Sequence, residues 1–261
     1  MRKKKLGILG SGYLAGIIAR AWTDGFLENY ELVGIFSRNE EKCRTLAEKT
    51  GCKACTDLEQ LLQLHPDYVA EAASGDAVRT YAEQILCGGS NLIVLSIGAF
   101  ADAEFYEKIR RTALETNTRV HIASGAVGGF DVLRTISLMG KVNAGICTHK
   151  GPGSLQNTPL YAEHLLTDRK ETKVFDGTAK DAIGLLPSKV NVAVASSLAT
   201  AGPEETKVEI YSVPDFVGDD HKITAESGEF RAVVDVYSPD SSIAAWSVVA
   251  LLQNLDSPIV F

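Results

Sequence analysis

The fold of this chain is decided near its start by the stretch Lys5-Leu6-Gly7-Ile8-Leu9-Gly10-Ser11-Gly12-Tyr13-Leu14-Ala15-Gly16. A short apolar run meets a cluster of glycines and a helical pattern follows, which predicts a strand, a tight turn and a helix. Gly10 suits the turn, and Gly12 allows the backbone to approach a pyrophosphate. Ala15 or Gly16 allows the helix to lie against the strand. Because the start of such a helix also offers amides to an anion, we predict a dinucleotide-binding turn.

The composition is typical of a globular protein with a sizeable core. Of 261 residues, 45% are hydrophobic and 23% are charged, and the formal net charge is -7. The acidic balance argues against a nucleic-acid partner. The apolar run after the N-terminal basic residues is far shorter than a signal-peptide core, and no stretch of the chain approaches the length of a membrane span. We therefore expect a cytoplasmic protein that acts on a small molecule and has no nucleic-acid or membrane partner.

The cysteines indicate a reducing compartment. They are Cys43, Cys52, Cys55, Cys87 and Cys147, an odd number without the spacing of a disulfide framework. Cys52 and Cys55 form a CxxC pair, but a zinc site would need two further ligands and a redox site a thioredoxin-like context. We expect reduced thiols in a connection between strand and helix, and no metal site.

Strands alternate with helices as far as residue 124. Apolar runs of the kind found in buried strands occur at Tyr30–Phe36, Tyr68–Ala73, Asn91–Ser96 and Arg119–Ala123. This alternation predicts a doubly wound parallel (Rossmann) sheet in a dinucleotide-binding domain over residues 1–124. Ligands bind at the carboxyl ends of such strands. The cofactor-binding residues expected at the glycine turn and at the strand ends are Gly10, Ser11, Gly12, Tyr13, Leu14, Ala73, Ser74, Ser96 and Gly98.

The end of the second strand bears on the choice of cofactor. An acidic residue there favours NAD, whereas a small residue followed by Arg accepts the 2'-phosphate of NADP. The sequence has Ser37-Arg38-Asn39 at this point. We therefore add Ser37 and Arg38 to the cofactor-binding residues and expect NADP, or use of both NADP and NAD. The alternative is that Arg38 is a solvated loop cation, since Arg is common on surfaces.

The sequence pattern changes after Ser124. The segments 143–149, 206–211, 222–226 and 230–237 alternate as antiparallel strands do, with helical segments between them. They predict a second domain of α+β type over residues 125–240, which would carry the substrate site and the dimer contacts. The closing segment 241–261 contains an amphipathic helix that we expect to return to the first domain.

Several ordered motifs indicate one family. The most distinctive is Ser124-Gly125-Ala126-Val127-Gly128-Gly129-Phe130-Asp131. Others are Glu71-Ala72-Ala73-Ser74, the segment 96–102, and Thr148-His149-Lys150-Gly151-Pro152. Over nearly its full length the chain resembles the L-aspartate dehydrogenases, which are NAD(P)-dependent amino-acid dehydrogenases. The resemblance implies oxidation of L-aspartate to iminoaspartate or to oxaloacetate and ammonia, a homodimer, and a place in NAD biosynthesis.

The resemblance also implies roles for individual residues. His221 falls on the family's catalytic histidine, and the chemistry needs a base because protons move when an amine becomes an imine that water attacks. Ala126 and Asn191 fall on positions near the cofactor. Substrate contacts are expected from Ser124, Gly125, Lys150 and Lys189, of which the lysines would hold carboxylates.

Around the substrate the sequence departs from the family's pattern. Val213 and Asp219 stand where the family has Asp and Asn, Lys189 replaces another Asn, and the lysine of a carboxyl-terminal motif is absent. Asp219 beside His221 is expected to repel a dicarboxylate and to raise the basicity of the histidine. Two alternatives stay open: a dehydrogenase for another small 2-amino or 2-oxo acid, and a regulatory protein that binds NAD(P) without turnover.

Overall fold

The computed structural model describes residues 2–186 and 190–261. The chain divides into two compact units. The first unit extends to Gly125 and includes Ser242–Phe261, and the second unit is Ala126–Ser241.

The first unit is built on a parallel sheet. Its strands are β1 (Lys4–Leu9), β2 (Tyr30–Phe36), β3 (Lys53–Cys55), β4 (Tyr68–Glu71), β5 (Asn91–Val94) and β6 (Val120–Ile122). They lie in the order β3-β2-β1-β4-β5-β6, and each neighbouring pair is parallel. The chain moves outward from β1 to β3 and then returns to β4 on the other side of β1. The predicted doubly wound sheet is confirmed, and its switch point lies between β1 and β4, where such sheets bind ligands.

Helices connect these strands. They are α1 (Tyr13–Thr23), α2 (Glu40–Thr50), α3 (Leu58–Leu62), α4 (Gly75–Cys87) and α5 (Ala103–Glu115). The side chains of Asn39, Asp57, Ser74 and Asp102 accept hydrogen bonds from the first turns of α2 to α5. Within the described residues, α1 has no such side-chain cap and begins directly after Gly12. The first amides of α1 are therefore left for another acceptor.

The second unit contains a mixed sheet. Its strands are β7 (Asn143–Lys150), β8 (Thr172–Thr178), β9 (Lys207–Ser212), β10 (Asp219–Ser227) and β11 (Phe230–Ser238), in the order β11-β10-β7-β9-β8. Its helices are α6 (Phe130–Leu138), α7 (Pro152–Leu155), α8 (Ala179–Leu185) and α9 (Asn191–Leu198). The α+β class is confirmed. The expectation of antiparallel strands is wrong for β7 and β9, which run parallel, because β8 and the three helices α7, α8 and α9 intervene and return the chain to the end of the sheet where β7 begins.

Each unit has its own apolar core. In the first, the final helix α10 (Ser242–Asp256) buries Val248 and Leu252 in one cluster with Ile18 of α1. The Tyr30 hydroxyl donates a hydrogen bond of 2.7 Å to the Leu252 carbonyl, which ties α10 to β2. In the second unit, helices cover one face of the mixed sheet around Ile223. Among the helices of the described chain, none combines the length and the apolar character that a membrane span requires.

Candidate active site

The turn after β1 uses its small residues in different ways. Gly10 has a φ of +125°, and a Cβ there would lie 2.4 Å from the Ala72 carbonyl oxygen, so only glycine fits. A Cβ on Gly12 would meet no atom of the described chain within 4 Å. Ala15 is fully buried, whereas Gly16 has the same open space as Gly12. Gly10 therefore forms the turn, Gly12 leaves room for a ligand, and Ala15 provides the close packing of the helix.

A cavity of about 290 Å³ opens at this turn. The hydroxyl of Ser11 donates to that of Ser37 over 2.9 Å and so joins the turn to the end of β2. Lys42 and Tyr81 also line the cavity, although sequence reasoning did not select them. The predicted cofactor-binding residues along its wall are Gly10, Ser11, Gly12, Ser37, Arg38, Ala73 and Ser74.

The groups around this cavity fit a dinucleotide. Gly12 and the uncapped start of α1 offer backbone amides and space to a phosphate. Arg38 and Lys42 bring two cations to the end of β2, which carries Ser37 in place of a carboxylate. Cations at this position suit the 2'-phosphate of NADP.

The other cofactor candidates of the first unit are not among the residues that line this cavity. Tyr13 and Leu14 form the start of α1, and Tyr13 is 63% exposed. Ser96 and Gly98 follow β5, where Gly98 is buried and the Ser96 hydroxyl donates to a buried carboxylate. Ser96 therefore has a structural bond of its own, whatever else it contacts.

His221 lies in β10 on the covered face of the mixed sheet. It is 4% exposed and stands opposite Thr148 of β7 in the strand register. The Thr148 hydroxyl lies 2.9 Å from Nδ1 of the imidazole. A hydroxyl can either donate to Nδ1 or accept from it, so the bond holds the ring in place in both tautomers. The strand register thus supplies the histidine with a support that the sequence did not reveal.

An ion pair lies two positions further along the same strands. Lys150 stands opposite Asp219, with Nζ 2.6 Å from Oδ1, and the two side chains are 9% and 37% exposed. The next strands on either side place Ser212 and Ser238, both buried, in the same row. The covered face of this sheet is therefore polar at one end, although it is apolar around Ile223.

The electrostatics correct one sequence-based expectation. Burial lowers the pKa of His221 to about 4, Lys150 lowers it as well, and Asp219 raises it. Asp219 thus acts in the expected direction, but the expectation of a more basic histidine is wrong, because desolvation of the imidazole and the lysine charge outweigh the carboxylate. His221 is consequently neutral at neutral pH, which is the state that can accept a proton.

The remaining predicted residues are dispersed along the chain. Ser124 and Gly125 follow β6, and the Gly125 amide donates a 3.0 Å hydrogen bond to the Ser247 hydroxyl of α10. Ala126 opens the second unit, and Asn191 is the first residue of α9. Lys189 lies outside the described residues. Of the predicted residues in the second unit, the structure brings His221 and Lys150 into one cluster.

Three cysteines near the end of β2 are protonated thiols at neutral pH. All five are free thiols, and burial raises the pKa of Cys43 and Cys52 and brings that of Cys55 to about 11. A thiol that stays protonated is a poor nucleophile and a poor metal ligand. In residues 2–186 and 190–261 there is no group of three or more His, Cys, Asp and Glu side chains that could hold a metal ion.

In a comparison with known proteins, a family model matches each of the two units. The family model described as aspartate dehydrogenase, C-terminal, matches residues 131–255, and that of the homoserine dehydrogenase NAD binding domain matches residues 6–123. The crystal structure of aspartate dehydrogenase from Thermotoga maritima is similar to this chain with a TM-score of 0.81 and 28% identity, and the match covers 99% of each chain.

Relatives that match over nearly their full length are named L-aspartate dehydrogenases. The L-aspartate dehydrogenase of Methanococcus maripaludis strain S2 is 33% identical, with 98% of each chain covered. That of Methanosarcina barkeri is 35% identical over 268 residues, again with 98% of each chain covered. The chain therefore belongs to the L-aspartate dehydrogenase family.

Proposed function

We propose that this chain is an NAD(P)-dependent L-aspartate dehydrogenase, which oxidises L-aspartate to iminoaspartate and, after attack by water, yields oxaloacetate and ammonia. The observation that carries the proposal is the buried, neutral His221, held by Thr148 and placed beside the Lys150–Asp219 pair. The relatives named above support L-aspartate as the substrate, since they are L-aspartate dehydrogenases and the match to them covers 98% of this chain.

The reaction removes a hydride from Cα and a proton from the amino group. A nicotinamide cofactor held at the glycine turn would supply the hydride acceptor. We assign the proton to Nε2 of His221, in the tautomer whose Nδ1–H donates to the Thr148 hydroxyl and leaves the Nε2 lone pair free. Once Nε2 has released that proton to solvent, it can accept a second proton from the water that attacks the imine carbon. A bound dicarboxylate would raise the pKa of the imidazole from about 4 and make it a stronger base during turnover.

We propose that Lys150 holds a substrate carboxylate while it keeps its bond to Asp219. An ammonium group has three donors, and Asp219 Oδ1 takes one of them. Ser124, Gly125 and Lys189 remain proposed substrate contacts from the resemblance. The same holds for Ala126 and Asn191 as proposed neighbours of the cofactor.

For the cofactor we propose a preference for NADP over NAD. Arg38 and Lys42 line the cavity at the end of β2, where a carboxylate would favour the ribose hydroxyl of NAD. A planar guanidinium can bind a phosphate through two parallel hydrogen bonds, to which Lys42 would add charge.

A second function has one observation in its favour. Asp219 neutralises Lys150 at 2.6 Å, so this end of the site offers little net positive charge to a substrate with two carboxylates. That arrangement suits a dehydrogenase for another small 2-amino or 2-oxo acid with one carboxylate. A regulatory protein that binds NAD(P) without turnover is the remaining alternative.

One set of assays separates these functions. NADPH and NADH consumption is measured with ammonium and oxaloacetate, and with ammonium and the monocarboxylates pyruvate and glyoxylate. Turnover of oxaloacetate that disappears in His221→Ala, while that variant still binds NADPH, supports the proposal. Turnover of monocarboxylates alone supports the second function, and NADPH binding without any turnover supports a regulatory protein.

The cofactor preference is tested in the same assays. Arg38→Ala is expected to weaken NADPH about tenfold and to change NADH much less, because it removes a charged hydrogen bond to the 2'-phosphate. Lys49→Ala is the matched control, since it removes a cation from the last turn of the same helix that carries Lys42. Equal effects of Arg38→Ala on both cofactors would contradict the preference.

We also propose a homodimer in the cytoplasm. Two-fold pairing is the commonest assembly of soluble oligomers, and five free thiols are typical of a reducing compartment. Light scattering should then give twice the mass of the chain, and a monomer would contradict the proposal.

A further inference from the structure

A carboxylate lies fully buried at the switch point of the parallel sheet. Glu71 is the last residue of β4 and is 0% exposed. It stands between Leu9 at the end of β1 and Val94 at the end of β5. A buried carboxylate without partners is costly, and Glu71 has no part in the proton chemistry proposed above. Its contacts therefore indicate what it does.

Both oxygens of Glu71 accept hydrogen bonds from the two loops that follow β4 and β5. Oε1 accepts from the Ala73 amide and from the Ser96 hydroxyl, each at 2.8 Å. Oε2 accepts from the amides of Leu95 at 3.2 Å and Ser96 at 2.9 Å. Three of these four donors are amides, which can donate but cannot accept, so the arrangement suits an ionised carboxylate.

The burial of Glu71 and its hydrogen bonds act against each other. Burial raises the pKa of Glu71, and the bonds from Ser96, Ala73 and Leu95 lower it. A group under such opposing demands is sensitive to any change in its partners. Glu71 is thus well suited to fix the spacing of the two loops, and poorly suited to tolerate their movement.

The loop after β4 forms part of the nucleotide cavity. Ala73 and Ser74 line that cavity together with the glycine turn. The Ala72 amide donates a 2.9 Å hydrogen bond to the Leu9 carbonyl, and the Ala72 carbonyl packs where a Cβ on Gly10 would be. Contacts therefore run without interruption from the loop after β5, through Glu71 and the loop after β4, to the turn that receives the phosphates.

We propose that Glu71 is a positioning residue for the dinucleotide, which holds the loops after β4 and β5 at the spacing that the bound cofactor requires. It acts through Ala73 and Ser96 and shapes the cavity before the cofactor arrives. The inference rests on the proposed nucleotide function of the first unit.

The variant that tests it is Glu71→Gln. Its amide nitrogen can replace Oε1 beside the Ser96 hydroxyl, because a hydroxyl can turn from donor to acceptor. The Ala73 amide then faces a second donor and loses its bond. The change therefore acts on the loop that lines the cavity, and we expect NADPH to bind about tenfold more weakly, the loss that one charge-assisted hydrogen bond accounts for.

Ser90→Ala is the matched control. The Ser90 hydroxyl is buried and donates a 2.7 Å hydrogen bond to the Pro66 carbonyl, so it links the segments before β4 and β5, at the opposite end of the same strands. Both variants should lower the midpoint of urea unfolding. Only Glu71→Gln should raise the Kd of NADPH, measured by the change in its fluorescence, and the KM for NADPH more than it changes kcat.

The outcomes separate this inference from the proposed function. A parent that binds neither NADPH nor NADH would overturn the proposed function and this inference with it. A parent that binds NADPH, with Glu71→Gln binding it equally well, would overturn the inference alone.

Hydrogen exchange tests the parent protein, should the variant fail to fold. The amides of Ala73 and Ser96 should exchange slowly without cofactor, because Glu71 already holds them. Exchange at the rate of an open loop, with protection appearing only on addition of NADPH, would overturn the inference.

Discussion

Lys150 and Asp219 face each other across two antiparallel strands, with Nζ 2.6 Å from Oδ1, and the same strands place Thr148 opposite His221 two positions away. The two charges act on the imidazole in opposite directions, since Lys150 lowers the pKa of His221 and Asp219 raises it. The ion pair therefore holds the local charge near neutrality, and a bound anionic substrate would change it.

Removing Lys150 should raise the pKa of His221 and lower the stability of the protein. Lys150→Met leaves Asp219 without its cation, so we expect the pKa of His221 to rise above about 4. The free energy of unfolding should be about 2 kcal/mol lower than in the parent. This loss is smaller than that for a fully buried pair, because the Asp219 side chain is 37% exposed. An NMR titration of the imidazole and urea unfolding measure the two effects.

The control for this variant is an exposed pair of the same length. Lys180 and Glu204 also lie 2.6 Å apart, but their side chains are 59% and 69% exposed. Lys180→Met should therefore lower the free energy of unfolding much less than Lys150→Met does. Equal losses in the two lysine variants would show that burial does not strengthen the Lys150–Asp219 pair.

The histidine should make stability fall in acid. Its pKa is about 4 in the folded chain and 6.5 when the side chain is free in water, so the unfolded chain binds the proton more tightly. Folding stability should decrease as the pH falls from 6.5 towards 4, by up to about 3 kcal/mol from this group.

Replacing the histidine isolates its contribution to the acid response. Urea unfolding of His221→Gln at several pH values should give a shallower loss across this interval than the parent. His164→Gln is the comparison, since it removes a histidine whose side chain is 62% exposed. If the free energy of unfolding falls equally steeply with pH in the parent and in His221→Gln, the acid response does not come from His221.

Thr148 should matter for turnover more than for cofactor binding. Thr148→Val keeps the shape of the side chain and loses the 2.9 Å bond to Nδ1 of His221. We expect kcat to fall about tenfold, stability to fall about 1 kcal/mol, and the KM for NADPH to stay unchanged. Thr148→Ser restores the hydroxyl and should recover most of kcat. A loss of stability without a loss of kcat would limit Thr148 to a structural role.

Gly10 of the turn and Gly16 of the following helix α1 should respond oppositely to the same substitution. Gly10→Ala meets the Ala72 carbonyl at 2.4 Å with a φ of +125°, so it should cost more than about 2 kcal/mol and weaken NADPH binding. Gly16→Ala adds its Cβ in open space on α1 and should gain about 0.5 to 1 kcal/mol. Urea unfolding measures both changes in stability. A Gly10→Ala variant as stable as the parent would contradict the geometry described for the turn.

Local patterns predicted the first unit well. The glycine turn, the five apolar strands and their helices are each encoded within a few neighbouring residues, so most of the parallel sheet followed from the sequence. The short edge strand β3 was missed, and Cys55, expected in a connection, lies in it. The cavity residues at the end of β2 could be predicted equally well, because Ser37 and Arg38 are adjacent in the chain, and both line the cavity.

Pairings across long sequence distances could not be predicted. Alternation identified β7 and β10 but not their register, which alone makes Thr148 the partner of His221. Alternation also does not encode strand direction, hence the unexpected parallel pairing of β7 with β9. Strand β8 was missed because its pairing with β9 shifts register between Lys173 and Phe175 and so interrupts the pattern.

Glu71 had a signal that was not used. A carboxylate inside an apolar run, such as Glu71 within Tyr68–Ala73, indicates a buried group that needs donors. Which donors it finds depends on how the loops after β4 and β5 lie together, and that is a property of the folded sheet.

The most direct test of the proposed activity follows the hydride itself. L-Aspartate carrying deuterium at Cα is incubated with the protein and NADP, and the reduced cofactor is analysed by mass spectrometry. Reduced cofactor that carries the deuterium is the expected result, with the rate lost in His221→Ala. A protein that binds NADP but yields no deuterated cofactor from L-aspartate would contradict the assignment of this chain as an L-aspartate dehydrogenase.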